Sequence, residues 1–252
     1  MGTLASSAAG LIAGAILGSF IATLVVRWPK GRSVLHGRSS CDSCGRRLGV
    51  ADLVPLLSYV MARGRCRSCG QPINPRHPTI ELAAAAIGGI SLAVAPGLAG
   101  IAGALLGWQL LALAALDLEH HWLPDPLNLL LLATGLAAGL TGMEPPIAER
   151  LIGAAFGFAM LWMIAALYKR VRKREGLGGG DPKMLRAIGA WLGWQAIPTV
   201  LLIAAGMGLA VVLIARIGGR HYALADRIAF GALMAPAAWL TWIFAEAGWL
   251  AP

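Results

Sequence analysis

Two acidic residues stand where apolar stretches of this sequence begin or end. Asp117 closes the run LLALAALD, and Asp181 follows three glycines, Gly178, Gly179 and Gly180, and precedes another apolar run. An ionisable group at the edge of a membrane segment is costly and marks a candidate functional site. Two neighbouring carboxyl groups do not both ionise readily, so one can act as a base on water while the other, protonated, acts as an acid. If Asp117 and Asp181 lie close together, they could hydrolyse a peptide bond.

The glycines before Asp181 leave room beside its carboxyl group. Because they have no Cβ atom, their backbone can take positive φ and approach another chain closely, so an extended substrate could lie beside Asp181. The simpler alternative, favoured by the local sequence alone, is that Asp181 is only a helix N-cap followed by Pro182 at the first helical position. Lys183 could tune Asp181 or bind a lipid headgroup.

Four cysteines form a second chemical pattern. Two CxxC pairs are separated by 21 residues, and a glycine, Gly45 or Gly70, follows each pair; the cysteines are Cys41, Cys44, Cys66 and Cys69. This spacing is typical of a tetrahedral four-cysteine zinc site, and nearby arginines would favour thiolates. Such a closed site is structural. Transient disulfides or free thiols are the alternatives.

The elements that carry these residues have a membrane composition. The chain has 252 residues, of which 58% are hydrophobic and 13% are charged. Apolar runs of about 20 residues recur, long enough to cross a hydrocarbon core about 30 Å thick. Although the net charge is +9, the Lys and Arg residues fall mainly between the apolar runs. We therefore expect an all-α polytopic membrane protein that contacts the lipid bilayer and does not bind nucleic acid.

The sequence predicts eight transmembrane helices and one polar module. The apolar segments are 4–26, 80–95, 98–116, 126–142, 149–168, 183–195, 198–217 and 228–248. We expect three regions: a first, retained membrane helix within 1–26, a zinc-binding loop domain at 27–79, and a seven-helix domain at 80–252. Gly10, Gly14 and Gly18 recur every fourth residue in the first helix, a spacing that lets helices pack closely.

The distribution of basic residues predicts the topology. If loop 27–79 is cytoplasmic, the connections 117–125, 168–183 and 216–227 are cytoplasmic too. Every Lys and Arg except Arg150 then lies on the cytoplasmic side, or within a turn of it for Arg186. Asp117 and Asp181 consequently share one membrane depth. We expect a bacterial inner-membrane protein with loop 27–79 and both aspartates on the cytoplasmic side.

Four blocks of the chain, in order, resemble the type IV prepilin peptidases, leader peptidase/N-methyltransferases of the GxGD aspartyl protease class. They are GSFIATLVVRWP (18–29), the cysteine segment 41–85 with PLLSY and RGRCRSC, LDLEHHWLPDPLN (116–128) and GGGDPKMLRAIGAWLGW (178–194). A lone GxGD is a weak signal, whereas four blocks in this order are specific.

The resemblance implies roles for individual residues. Asp117 and Asp181 would be the catalytic pair, with no metal in the proteolysis, and Asp125 would be a local cap or structural partner. The substrates would be prepilins or pseudopilins, cleaved on the cytoplasmic side after a glycine. The new N-terminal residue would then be methylated from S-adenosylmethionine. Glu81 matches a glutamate of the family pattern and could serve methyl transfer or pair with a loop arginine.

Two other function classes remain open from the residues alone. A transporter could use Asp117 and Asp181 in a proton relay, although neither lies at mid-span and no internal repeat is visible. A non-enzymatic assembly factor for pili or secretion could use the cysteine loop for docking. The sequence does not predict the oligomeric state.

Overall fold

The computed structural model describes residues 2–34, 39–41, 43–173, 178–219 and 229–249. These residues contain nine α-helices, two isolated β-bridges and no strand. The helices are α1 (Thr3–Arg27), α2 (Leu57–Met61), α3 (Arg76–Val94), α4 (Leu98–His120), α5 (Asp125–Leu140), α6 (Ile147–Arg172), α7 (Asp181–Leu192), α8 (Ile197–Ile217) and α9 (Phe230–Glu246).

The eight longer helices coincide with the eight predicted spans, so the all-α membrane fold is confirmed. Five of them, α1, α3, α4, α6 and α8, are long and apolar enough to cross a bilayer. The other three are shorter, and the 12-residue α7 has a length of only about 18 Å at 1.5 Å per residue. It ends three residues before the predicted segment because Gly193 has φ 78° and leaves the helical conformation. Parts of the predicted connections 168–183 and 216–227 lie outside the described residues.

The chain divides into two compact units, residues 1–112 and 113–252. In the first unit, α1 packs on α3 through the predicted glycine stripe, whose members are all buried. A Cβ atom at Gly14 would lie 2.1 Å from the carbonyl oxygen of Ala84, and one at Gly10 would lie 2.3 Å from that of Gly88. The spacing therefore serves close backbone packing, as expected.

In the second unit, α7 packs against α5, α6, α8 and α9. Arg150 of α6 links its neighbours, with only 2% of its surface exposed. Its guanidinium donates hydrogen bonds of 2.7–3.3 Å to the carbonyl oxygens of Gly135, Met143, Glu144, Pro145, Ala190 and Trp191. Arg150 is the one basic residue that the predicted topology does not place on the cytoplasmic side. In the structure it is a buried link between helix ends.

Candidate functional site

Asp117 lies in the last turn of α4 and is 5% exposed. The backbone amide of Ala232 donates a hydrogen bond of 2.9 Å to its Oδ2. Ala232 lies in the first turn of α9, where helix amides have no partner inside the helix and favour negative charge. The carboxyl group of Asp117 is therefore positioned by the beginning of another helix.

Asp181 is the first residue of α7 and is also 5% exposed. The amide of Gly178 donates a hydrogen bond of 3.0 Å to its Oδ2. The N-cap position belongs to Gly180, so the expectation that Asp181 is the cap and Pro182 the first helical residue is wrong by one residue. The carboxyl group of Asp181 holds the preceding loop instead of capping the helix.

The two carboxyl groups lie near each other, each at one end of its helix. They lie close enough for the charge of Asp117 to act on Asp181, and the amide of Gly231 interacts with both. A Cβ atom at Gly231 would lie 2.9 Å from Oδ2 of Asp117. Gly231 could not be singled out from the sequence, because one glycine at the start of an apolar run forms no pattern.

Leu123 fills the space between the two glycines beside the carboxyl groups. A Cβ atom at Gly180 would lie 2.7 Å from the Cβ of Leu123, and one at Gly231 would lie 2.9 Å from its Cδ1. Gly180 has φ −82°, so it does not use the left-handed conformation that a glycine allows, and a glycine is required there for space. Gly178 and Gly179 are exposed, and a Cβ atom on Gly179 would meet nothing within 4 Å.

Lys183 and Asp125 form an ion pair at the edge of the site. The Nζ of Lys183 lies 2.6 Å from Oδ1 of Asp125, and the two side chains are 45% and 70% exposed. This contact ties the first turn of α7 to the first turn of α5. Asp125 and Lys183 are thus structural partners of each other.

The four cysteines of the first unit come together. Their Sγ atoms all lie within 4.8 Å of one another, and those of Cys41 and Cys69 are 3.9 Å apart. Four thiolates at the zinc–sulfur distance of about 2.3 Å would lie about 3.8 Å apart in a regular tetrahedron. The four cysteines could therefore hold a tetrahedral metal ion.

Two similar hairpins carry the cysteine pairs. In the first, the amide of Cys41 donates to Arg46 and that of Gly45 donates to Cys41; in the second, Cys66 donates to Gln71 and Gly70 to Cys66. Gly45 and Gly70 both have φ 69°, a conformation that favours glycine. The expected tight turn after each CxxC pair is confirmed.

Backbone amides, rather than arginines, favour the thiolates of Cys41 and Cys66. The amides of Cys69 and Ser68 lower the pKa of Cys66 to about 6, and those of Cys44 and Ser43 lower the pKa of Cys41. The neighbouring Arg46 and Arg67 pair with Asp52. The amide of Gly49 and the charge of Arg46 hold the pKa of Asp52 below its usual value.

Glu81 lies in α3 and is 7% exposed. The amide of Leu56 donates a hydrogen bond of 2.8 Å to its Oε2. The sequence left both methyl transfer and pairing with a loop arginine open for Glu81, and the hydrogen bond described for it comes from the backbone of Leu56. Glu81 thereby joins α3 to the chain just before α2.

Comparison with known proteins matches two family models to successive parts of the chain. Residues 12–94 match the bacterial peptidase A24 N-terminal domain, and residues 104–213 match the type IV leader peptidase family. The first range contains the four cysteines and Glu81, and the second contains Asp117 and Asp181. No solved structure matches the chain.

Curated relatives carry the name prepilin leader peptidase/N-methyltransferase. The protein from Burkholderia pseudomallei is 47% identical over 184 residues, which cover 73% of this chain. The chain spans 60% of the length of that relative. Proteins from Aeromonas hydrophila and Klebsiella pneumoniae are each 38% identical, over 83% and 77% of this chain and 72% and 88% of their own lengths.

Proposed function

This chain belongs to the type IV leader peptidase family, and we propose that it is a membrane aspartyl endopeptidase acting on prepilins or pseudopilins. It removes their leader peptide after a glycine on the cytoplasmic side of the bacterial inner membrane. The observation that carries this proposal is the pair of buried carboxyl groups, Asp117 and Asp181, held beside each other by backbone amides.

The pair supplies both proton transfers that peptide hydrolysis requires. One carboxylate takes a proton from water, and the resulting hydroxide attacks the carbonyl carbon while the protonated partner gives its proton to the carbonyl oxygen. The tetrahedral intermediate then breaks its C–N bond, and the amine leaves with a proton from the dyad. The two groups titrate as one unit, so the base and acid roles belong to the pair.

The surroundings of the pair suit a substrate that crosses the membrane edge. The exposed backbone of Gly178 and Gly179 gives an extended segment room beside Asp181. Lys183, already paired with Asp125, positions this edge of the site. A leader junction lies just before an apolar helix, which matches a site built from helix ends.

The same protein then methylates the new N-terminal residue with S-adenosylmethionine as the methyl donor.

Its four cysteines hold a structural zinc ion, which stabilises the polar loop and takes no part in the proteolysis. The purified protein should therefore contain one zinc ion per chain. Cys44→Ser should lose it and Ser43→Ala should retain it, as measured by elemental analysis; equal zinc contents would contradict this assignment.

Co-expression with a prepilin tests the proposed function. A prepilin with a Gly-Phe junction should lose its leader and gain the mass of one methyl group, as read by mass spectrometry of the intact product. A matched prepilin with a bulky residue in place of the junction glycine should remain uncut. Full-length Gly-Phe precursor in the presence of the protein would contradict the peptidase proposal, and a shortened product without added methyl mass would contradict methylation.

A further inference from the structure

The segment 50–61 of the polar loop exposes large apolar side chains. It contains the short helical turn Val50–Asp52 and helix α2. Six of its residues are apolar and 41% to 85% exposed: Val50, Leu53, Val54, Leu57, Val60 and Met61. Apolar side chains exposed together in so short a stretch mark a surface that contacts a membrane or another protein.

The polar and apolar faces of α2 are arranged in the opposite way from those of a helix in a water-soluble domain. Ser58 and Tyr59 line a cavity inside the first unit. Leu57, Val60 and Met61, spaced three and four residues apart, are exposed together on another face. In water, this arrangement would shelter hydroxyl groups and expose apolar groups, at a cost in free energy. The exposed face of α2 therefore fits apolar surroundings.

The segment lies beside the ends of two membrane helices. The amide of Leu56 donates its hydrogen bond to Glu81, five residues after the first residue of α3. Helix α2 also shares the wall of its cavity with Thr23, four residues before the last residue of α1. At 1.5 Å per residue, Thr23 and Glu81 lie about 6 and 8 Å from the ends of their helices. An amphipathic helix in a membrane interface inserts to a similar depth, about 5–10 Å.

The charges around the segment suit the same surroundings. Its one acidic residue, Asp52, pairs with Arg46 and Arg67. Lys30, three residues after α1, and Arg63, two residues after α2, are exposed. Basic side chains beside an apolar face attract the anionic headgroups of a bilayer.

We propose that the apolar face of the segment 50–61 inserts into the membrane interface beside the ends of α1 and α3, with exposed basic side chains on anionic lipid headgroups. The bilayer is favoured over a protein partner because both ends of the polar loop continue into membrane helices, and the segment contacts those helices. The polar loop is then held on the bilayer along α2 as well as by its two flanking helices. The proposal rests on the membrane fold and on neither the peptidase nor the methyltransferase activity.

Photocrosslinking of the full-length protein in lipid vesicles tests this placement. The photoreactive residue p-benzoylphenylalanine replaces Val60 or, in a second variant, Met61. Each purified variant is reconstituted into vesicles of phosphatidylethanolamine and phosphatidylglycerol and illuminated, and its intact mass is then measured. We expect both variants to gain the mass of one phospholipid.

Tyr59, on the face of α2 that lines the cavity, is the matched control position. The same photoreactive residue at Tyr59 should give no lipid adduct. A thermal unfolding transition like that of the wild type shows that each variant keeps its fold.

Three results would overturn the proposal. The first is folded Val60 and Met61 variants that form no lipid adduct. The second is an equal yield of lipid adduct at Tyr59, because the exposed face of α2 would then not be the face in lipid. The third is an adduct with the mass of a second copy of the chain, or of added prepilin, in place of lipid, because the face would then bind a protein.

Discussion

Asp117 and Asp181 are held by backbone amides, and this choice of partner suits proton transfer. An arginine or lysine beside either group would fix a negative charge on it. An amide from Ala232 or Gly178 instead fixes the position of one oxygen and adds no full positive charge to the site. Lys183, the lysine at this edge of the site, pairs with Asp125. The pair is thus positioned while remaining able to share a proton.

Gly231 is the residue whose role the structure adds. In Gly231→Ala, the new methyl group would press on Oδ2 of Asp117 and on Leu123, both 2.9 Å away. We expect kcat to fall by up to about 100-fold with little change in KM, because the displaced group acts on the reaction more than on binding. Initial rates of leader cleavage at several prepilin concentrations would show this.

Ala232→Gly is the matched control for that change. It keeps the amide that donates to Asp117 and removes only a buried methyl group. The rate should stay near the wild-type value, with a loss of stability of about 1 kcal/mol. Equal rates for Gly231→Ala and Ala232→Gly would show that space at Gly231 does not position Asp117.

At the scale of elements, the site is made of helix ends. Asp117 closes α4, while Asp125, Asp181 and Ala232 lie in the first turns of α5, α7 and α9. These last three helices are the shortest of the eight long helices, and their N-termini carry partial positive charge. Two carboxyl groups are therefore buried at a place where helix ends favour negative charge.

Arg150 binds backbone carbonyl groups in the C-terminal parts of α5 and α7, at the ends opposite to those that form the site. Ala190 and Trp191 lie in the last turn of α7, where carbonyl oxygens have no partner inside the helix. Arg150→Met should lower the free energy of unfolding by about 3 kcal/mol or more, because several buried carbonyl groups lose their donor. Thermal unfolding in detergent, followed by tryptophan fluorescence, measures the change.

Arg172→Met is the control on the same helix. Arg172 is exposed near the end of α6, so its loss should change stability by less than about 0.5 kcal/mol. If both variants unfold at the same temperature, the bonds of Arg150 do not link the helix ends as described.

At the scale of the whole molecule, the sequence patterns predicted where the helices lie. They predicted the lengths of the helices and the contacts between residues less well. Hydropathy located all eight long helices, because each is an apolar run between polar connections. It could not show that α7 ends at Gly193, since this depends on one backbone angle. Nor could it find the role of Gly231, which depends on a contact with Asp117, 114 positions away in the chain. The CxxC hairpins were predictable because their geometry is local.

The predicted sidedness can be tested with single added cysteines. Thr141→Cys, at the end of α5, should react in intact spheroplasts with a maleimide that does not cross membranes. Arg170→Cys, near the end of α6, should react only after the membrane is opened, because the positive-inside rule places this connection in the cytoplasm. The reverse pattern would contradict the topology.

The central claim is that Asp117 and Asp181 hydrolyse the leader junction, and cleavage by purified variants tests it most directly. Asp117→Asn and Asp181→Asn each keep an oxygen that accepts the amide of Ala232 or Gly178, so the fold should persist. Glu149→Gln is the matched control, since its side chain is half-buried and contacts Gln195, away from the two aspartates. The account expects each aspartate variant to cleave prepilin at least about 100-fold more slowly than the wild type, with Glu149→Gln unaffected. Wild-type cleavage by either aspartate variant would contradict it.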